Sequence, residues 1–109
     1  MSEIEISIIG AEELSEEMAS ALAGYDYSEV QGNEITGVEG ELSWLIAAIL
    51  GSPVISKVLD VLEKSVARKK ISKVTIAKDG KVEIEGATPE EAAKILRSLQ
   101  TKEEGSKSD

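Results

Sequence analysis

From Leu42 to Val66 large apolar residues dominate the chain, and no turn in this stretch is long enough to end the apolar surface it builds. Such a run has to supply the core of whatever forms around it, because leaving it in water forgoes the main driving force of folding. Leu42, Leu45, Ile46, Ile49 and Leu50 recur at i, i+3, i+4, i+7 and i+8, which predicts a helix over 41–50, widened by Trp44, Ala47 and Ala48. Gly51-Ser52-Pro53 breaks it: Pro53 cannot donate a backbone bond, Ser52 can cap, and Pro53 fits the first turn of a second helix. That helix is expected over 53–69, with Val54, Ile55, Val58, Leu59, Val61, Leu62 and Val66 extending the apolar surface and Asp60 and Lys64 paired on the wetter side. Arg68, Lys69 and Lys70 then sit where a helix carboxyl end favours cations.

The flanking segments carry different periods. Ile4, Ile6 and Ile8 alternate with Glu3, Glu5 and Ser7, which predicts a strand over 3–9 with one buried and one wet face. Leu14, Met18, Ala21 and Leu22 return at helical spacing, so 11–23 reads as a helix that Gly24 stops, with Glu12, Glu13, Glu16 and Glu17 near its amino end. Residues 27–31 can form a short strand, and Gly32, Asn33, Gly37 and Gly40 mark a loop. Val74, Ile76, Val82 and Ile84 flank Asp79-Gly80, a hairpin signal for 72–86, because both central residues of the tight turn need positive φ. Thr88-Pro89-Glu90-Glu91 is a capping box that opens a helix over 89–99, whose buried stripe is Ala92, Ile95, Leu96 and Leu99. The expected fold class is α+β, a small antiparallel or mixed sheet covered by helices. Residues 1–100 form one domain in this reading, with the hairpin and the 41–50 helix facing each other across its core, and 101–109 is a polar tail expected to be disordered.

Composition narrows the chemistry. There is no Cys and no His among the 109 residues, which removes a thiol nucleophile, the commonest general base and the commonest zinc ligand. Residues 1–56 hold eleven acids and no base, while residues 57–109 hold ten acids and all twelve bases. An acidic half repels nucleic acid and anionic lipid and attracts basic partners. The amino terminus has neither a basic region nor an apolar signal-type stretch, so a cytoplasmic product is expected. Leu42 to Ser56 is shorter than the roughly 20 residues a spanning helix needs, and Pro53 and Lys57 intervene.

Candidate sites are few. Glu12, Glu13, Glu16 and Glu17 lie together at the start of the first helix but show no apolar pocket to raise a carboxyl pKa. Asp79-Gly80 stands alone between lysines, without the clustered ligands of a calcium loop. Lys57, the one lysine inside an apolar run, is expected to lay its stem on apolar surface and its ammonium in water. No catalytic, metal or cofactor residues emerge. Trp44, alone of its kind in a chain without Phe, reads either as core or, with Leu45, as a partner anchor, and Glu13 and Glu17 are the acidic candidates for partner contact.

The run Leu45-Ile46-Ala47-Ala48-Ile49-Leu50-Gly51-Ser52, continued by Val54, Leu59, Leu62 and Val66 to Arg68-Lys69-Lys70, then a Val-x-Ile strand, an Asp-Gly turn and Val82-Glu83-Ile84-Glu85-Gly86, resembles the effector-associated constant component family. The resemblance covers roughly residues 42–99 and implies a small bacterial accessory protein of conflict or defence systems, encoded beside effector modules. It transfers no catalytic residues. The expected function is a non-enzymatic interaction module that binds another protein, a second copy of itself included, without cofactor, nucleic acid or membrane-spanning segment. The alternative is an acidic phage-type inhibitor that occupies a basic groove by mimicking nucleic-acid charge.

Overall fold

The computed structural model describes residues 3–25, 27–31 and 40–108, with side chains described throughout except at 28–31 and 102–108. The loop expected around Gly32, Asn33 and Gly37 lies outside the described residues, as do Met1, Ser2, Asp26 and Asp109. Strand β1 (Glu3–Ala11) leads through a 3-10 turn (Glu12–Leu14) into α1 (Ser15–Ala21). Then follow β2 (Tyr27–Gln31), β3 (Glu41–Ile49), α2 (Pro53–Arg68), β4 (Ile71–Lys78), β5 (Lys81–Ala87) and α3 (Pro89–Ser108).

The five strands form one sheet in the order β2-β3-β1-β4-β5, and every neighbouring pair is antiparallel. β1 and β2 are thus separated by β3, and β3 and β4 by β1, so the first four strands and two helices make a pair of interleaved split βαβ units, a ferredoxin-like arrangement. β5 and α3 extend it at one edge.

β1 sits at the centre because its period-two pattern can be paired on both sides while Ile4, Ile6 and Ile8 stay on one buried face. Ile4, Ile6 and Ile8 are fully buried, and Ile6 lies between Ile46 of β3 and Ile76 of β4. Ile8 lies between Trp44 and Val74. α2 lays Val54, Ile55, Val58, Leu59, Val61 and Leu62 on this face. Leu14, Met18 and Leu22 from the first helical segment and Ala92, Ala93, Leu96 and Leu99 from α3 complete the same core.

Segment 41–50 is a strand and not the helix its spacing predicts. Nearly every position there is apolar, so Leu42, Trp44, Ile46 and Ala48 satisfy a period of two as well as the other set satisfies a helical one. Length and bounds favour the strand: the ten residues between Gly40 and Gly51, both with positive φ, are short for a helix, and nine of them, Glu41–Ile49, pair with β1 without a break. The change reverses several expected contacts. Leu45, Ile49 and Val82 lie on the sheet face away from the helices, so the hairpin and this segment are neighbours in one sheet, with β1 between β3 and β4, and do not face each other across the core. α3 also continues to Ser108, past the end expected at Leu99 and through most of the tail expected to be disordered. Thr101, Lys102, Glu103 and Glu104 include no residue that would stop an established helix.

Local signals read from the sequence appear in the turns. Asp79 and Gly80 take φ of 51° and 83°. The amide of Asp79 donates to the Glu3 carbonyl at 2.9 Å and the Glu3 amide donates to Asp79 Oδ1 at 3.1 Å, which ties the hairpin turn to the start of β1. The Glu91 amide donates to Thr88 Oγ1 at 3.2 Å, one half of the capping box. α2 ends at Lys69 in a left-handed conformation with φ 56°, its amide donating to the Ser65 carbonyl at 2.7 Å.

Gly10 is where β1 shifts register against β4. A Cβ there would lie 2.9 Å from Leu14 Cδ1 and 2.9 Å from the Lys70 carbonyl oxygen, which accepts the Ala11 amide. A leucine side chain can yield, but a carbonyl fixed in a hydrogen bond cannot do so cheaply. Gly10→Ala is therefore expected to lower unfolding free energy by about 1–3 kcal/mol, and Trp44→Ala by about 3–5 kcal/mol. Lys69→Gly should raise it by up to about 1 kcal/mol by relieving the left-handed residue. Urea unfolding of the three variants against the native chain checks both directions.

Candidate interaction face

All three helices pack on the Ile4–Ile6–Ile8 face of the sheet, and the alternate residues of the same strands form the opposite face. Row by row, Glu3 pairs with Ile49, and Glu5 lies between Ala47 and Ala77, with Val82 beyond Ala77. Ser7 lies between Leu45 and Thr75, Ile9 between Ser43 and Lys73, and Ala11 pairs with Glu41. Five large hydrophobic residues are exposed among the described residues, and three of them are here: Leu45 at 45%, Ile49 at 46% and Val82 at 57%. Exposed Ala47 and half-buried Ile9 adjoin Leu45 and Ile49, while exposed Glu5 separates them from half-buried Ala77 and from Val82.

The distribution follows from antiparallel geometry. Leu45, Ala47 and Ile49 alternate along β3 and make a continuous apolar stripe, while Ile9 lies diagonally from Leu45 on β1. At the Ile49 end the face opens into a shallow cleft of about 450 Å³ between Glu3, Tyr25, Ile49, Ser52 and Val54. Charge is divided along the strands. Glu3 and Glu5 are exposed towards one end, and Lys73 is exposed at the level of Ile9 towards the other. Glu41 at the Lys73 end accepts a hydrogen bond from Ser72 Oγ at 2.5 Å.

Of the residues singled out in the sequence, only Leu45 belongs to this face. Trp44 is fully buried on the helix side, so it is a core residue and not an exposed anchor. Glu13 and Glu17 sit elsewhere, at the junction of α1 with the end of α2. Arg68 Nη1 donates to both Glu17 carboxylate oxygens at 3.1 and 3.2 Å, and Lys70 Nζ donates to Glu13 Oε2. The basic cluster after α2 is thus met by carboxylates of the acidic half. Lys57 is exposed on α2. Ile9, Ala47, Ile49, Ala77 and Val82 were not anticipated as surface. The signal for them was present in the alternation of β1, whose odd-numbered positions include Ile9, and becomes readable on β3 once that segment is assigned a period of two.

Among the described residues no group of three or more acidic side chains is placed to hold a metal ion, and no helix is long and apolar enough to cross a membrane. The Lys70 ammonium holds the Glu13 carboxyl below its ordinary pKa, first by its hydrogen bond and then by its charge. No family model, no curated protein and no solved structure matches this chain, so the resemblance to the effector-associated constant component family rests on its residue pattern alone.

A carboxyl whose pKa is lowered on folding contributes stability at neutral pH and loses it as pH falls through the lowered value. Glu13→Gln is therefore expected to be less stable than the native chain at neutral pH, with the difference closing below the ordinary carboxylate range. Thermal melts of both proteins across that acid range provide the measurement, and added salt should shrink the neutral-pH difference.

Proposed function

We propose that this protein acts by binding another protein through the open face of its sheet, and that it is not an enzyme. The observation that carries this reading is the apolar stripe Leu45–Ala47–Ile49 with diagonal Ile9, on a sheet face that no described element covers. A sheet stable in water on one side normally presents polar alternates there, and a contiguous apolar patch marks a contact surface. An accessory component of a bacterial conflict system, the role implied by the resemblance, would use such a face to dock on its effector. The charge-mimicry alternative draws less support, because Glu13 and Glu17 are engaged by Lys70 and Arg68 and their charge is partly neutralised within the chain.

Leu45→Glu and Ile49→Glu test the reading. Both side chains are about half exposed, so the variants should melt within a few degrees of the native protein, as surface substitutions do. Cross-linking in the native host followed by mass spectrometry is expected to give a defined partner or a self-linked product for the native chain and neither for the variants. Equal cross-linking of native and variant chains would remove the open face from the function.

A further inference from the structure

The open face carries a more specific statement, which rests on the interaction-face reading: we propose that its occupant is a second copy of the same chain, packed sheet to sheet about a two-fold axis that crosses the strands at the level of Ser7. The row on that axis is Leu45, Ser7 and Thr75. Small or polar-but-uncharged neighbours beside one exposed leucine let two sheets approach, and the two-fold stacks Leu45 on its own counterpart. Packing of this kind needs only the ordinary twist between aligned sheets, without rearrangement of either backbone.

Charge fixes the direction of the axis. Glu5 lies on β1 on one side of the Ser7 row, and Lys73 lies on the adjacent β4 on the other side. A two-fold along the strands would place like ends together, Lys73 near Lys73 and Glu5 near Glu5. A two-fold across the strands brings Lys73 of each copy over the Ala77 row of the other, one strand away from that copy's Glu5 and within reach of a lysine side chain. Each interface then holds two reciprocal Lys73–Glu5 contacts. The same axis lays Ile49 of each copy at the level of Glu41 of the other, a carboxylate already hydrogen-bonded to Ser72.

Area bounds the contact. Five strands of 9, 5, 9, 8 and 7 residues, about 4.8 Å apart, give a face of roughly 500–600 Å² in projection on each copy. Two such faces come to the lower bound of specific interfaces, the size range of weak and transient contacts, and the association is placed at a Kd on the order of micromolar or above.

The test is sedimentation equilibrium of the full chain from about 1 μM to about 1 mM, with circular dichroism and a thermal melt confirming that each variant is folded. The native chain should pass from monomer to dimer in that range, and raised salt should weaken the dimer. Leu45→Glu should abolish it. Glu5→Lys and Lys73→Glu should each weaken it about tenfold or more, and the double exchange should restore it to within a few-fold of native. A chain that stays monomeric throughout, a dimer indifferent to Leu45→Glu, or a double exchange no tighter than the singles would each overturn the proposal. A monomeric chain whose Leu45-dependent cross-link in the host is to a different protein overturns self-association and leaves the interaction face standing. A monomeric chain with no Leu45-dependent cross-link removes both.

Discussion

The alternation of Ile4, Ile6 and Ile8 with Glu3, Glu5 and Ser7 in β1 governs the rest of the architecture. A strand with one apolar and one polar face can be central in a sheet only if both neighbours keep their own apolar residues on the same side. β3 and β4 do so, with Ile46 and Ile76 opposite Ile6 and with Trp44 and Val74 opposite Ile8. A slip of one residue in either ladder would invert the assignment of every side chain. Because one side is so completely specified, all three helices are drawn to it. The other side is left with whatever the alternate positions happen to carry.

Those alternate positions are not uniformly polar, and the reason lies in β3. Its sequence is apolar at almost every position, so burying Leu42, Trp44 and Ile46 necessarily turns Leu45, Ala47 and Ile49 outward. The same property hid the element in the sequence. A segment that is apolar throughout has no phase, and neither period could be excluded from spacing alone. β1, the Asp79-Gly80 turn and the Thr88 cap were legible because each depends on local contrast: alternation, a positive-φ pair, a capping residue before a hydrophobic stripe. β2 was legible from its short span between turn residues. The open face was not, since it exists only through the pairing of β3 with β1, a long-range contact that no local pattern encodes. Trp44 illustrates the limit. Its identity marked it as important, but whether it pointed to core or to solvent depended on the phase of β3.

The uneven charge distribution also acquires a structural role. The acidic start of the chain and the basic end of α2 meet where Glu13 and Glu17 accept from Lys70 and Arg68, which join the first helical segment to the α2–β4 junction. A second contact between distant parts, Arg97 with Glu63, links α3 to α2. These pairs are exposed and individually weak. Their placement at inter-element junctions lets charge select which helix ends lie together, while burial supplies the energy.

The position of β1 has a consequence for how the chain finds this structure. Ile6 contacts Ile46 and Ile76, forty and seventy residues further along, so the central strand is complete only when both distant segments have come back to it. Closing such loops costs entropy before the contacts repay it, and chains dominated by non-local pairing assemble slowly. On the ribosome β1 would leave the exit tunnel long before β4 exists. Until then one edge of the future centre of the sheet stays unpaired. The nascent chain therefore passes through a period in which its most apolar strands are the ones most available to the wrong neighbour, a period that is over only when β4 arrives.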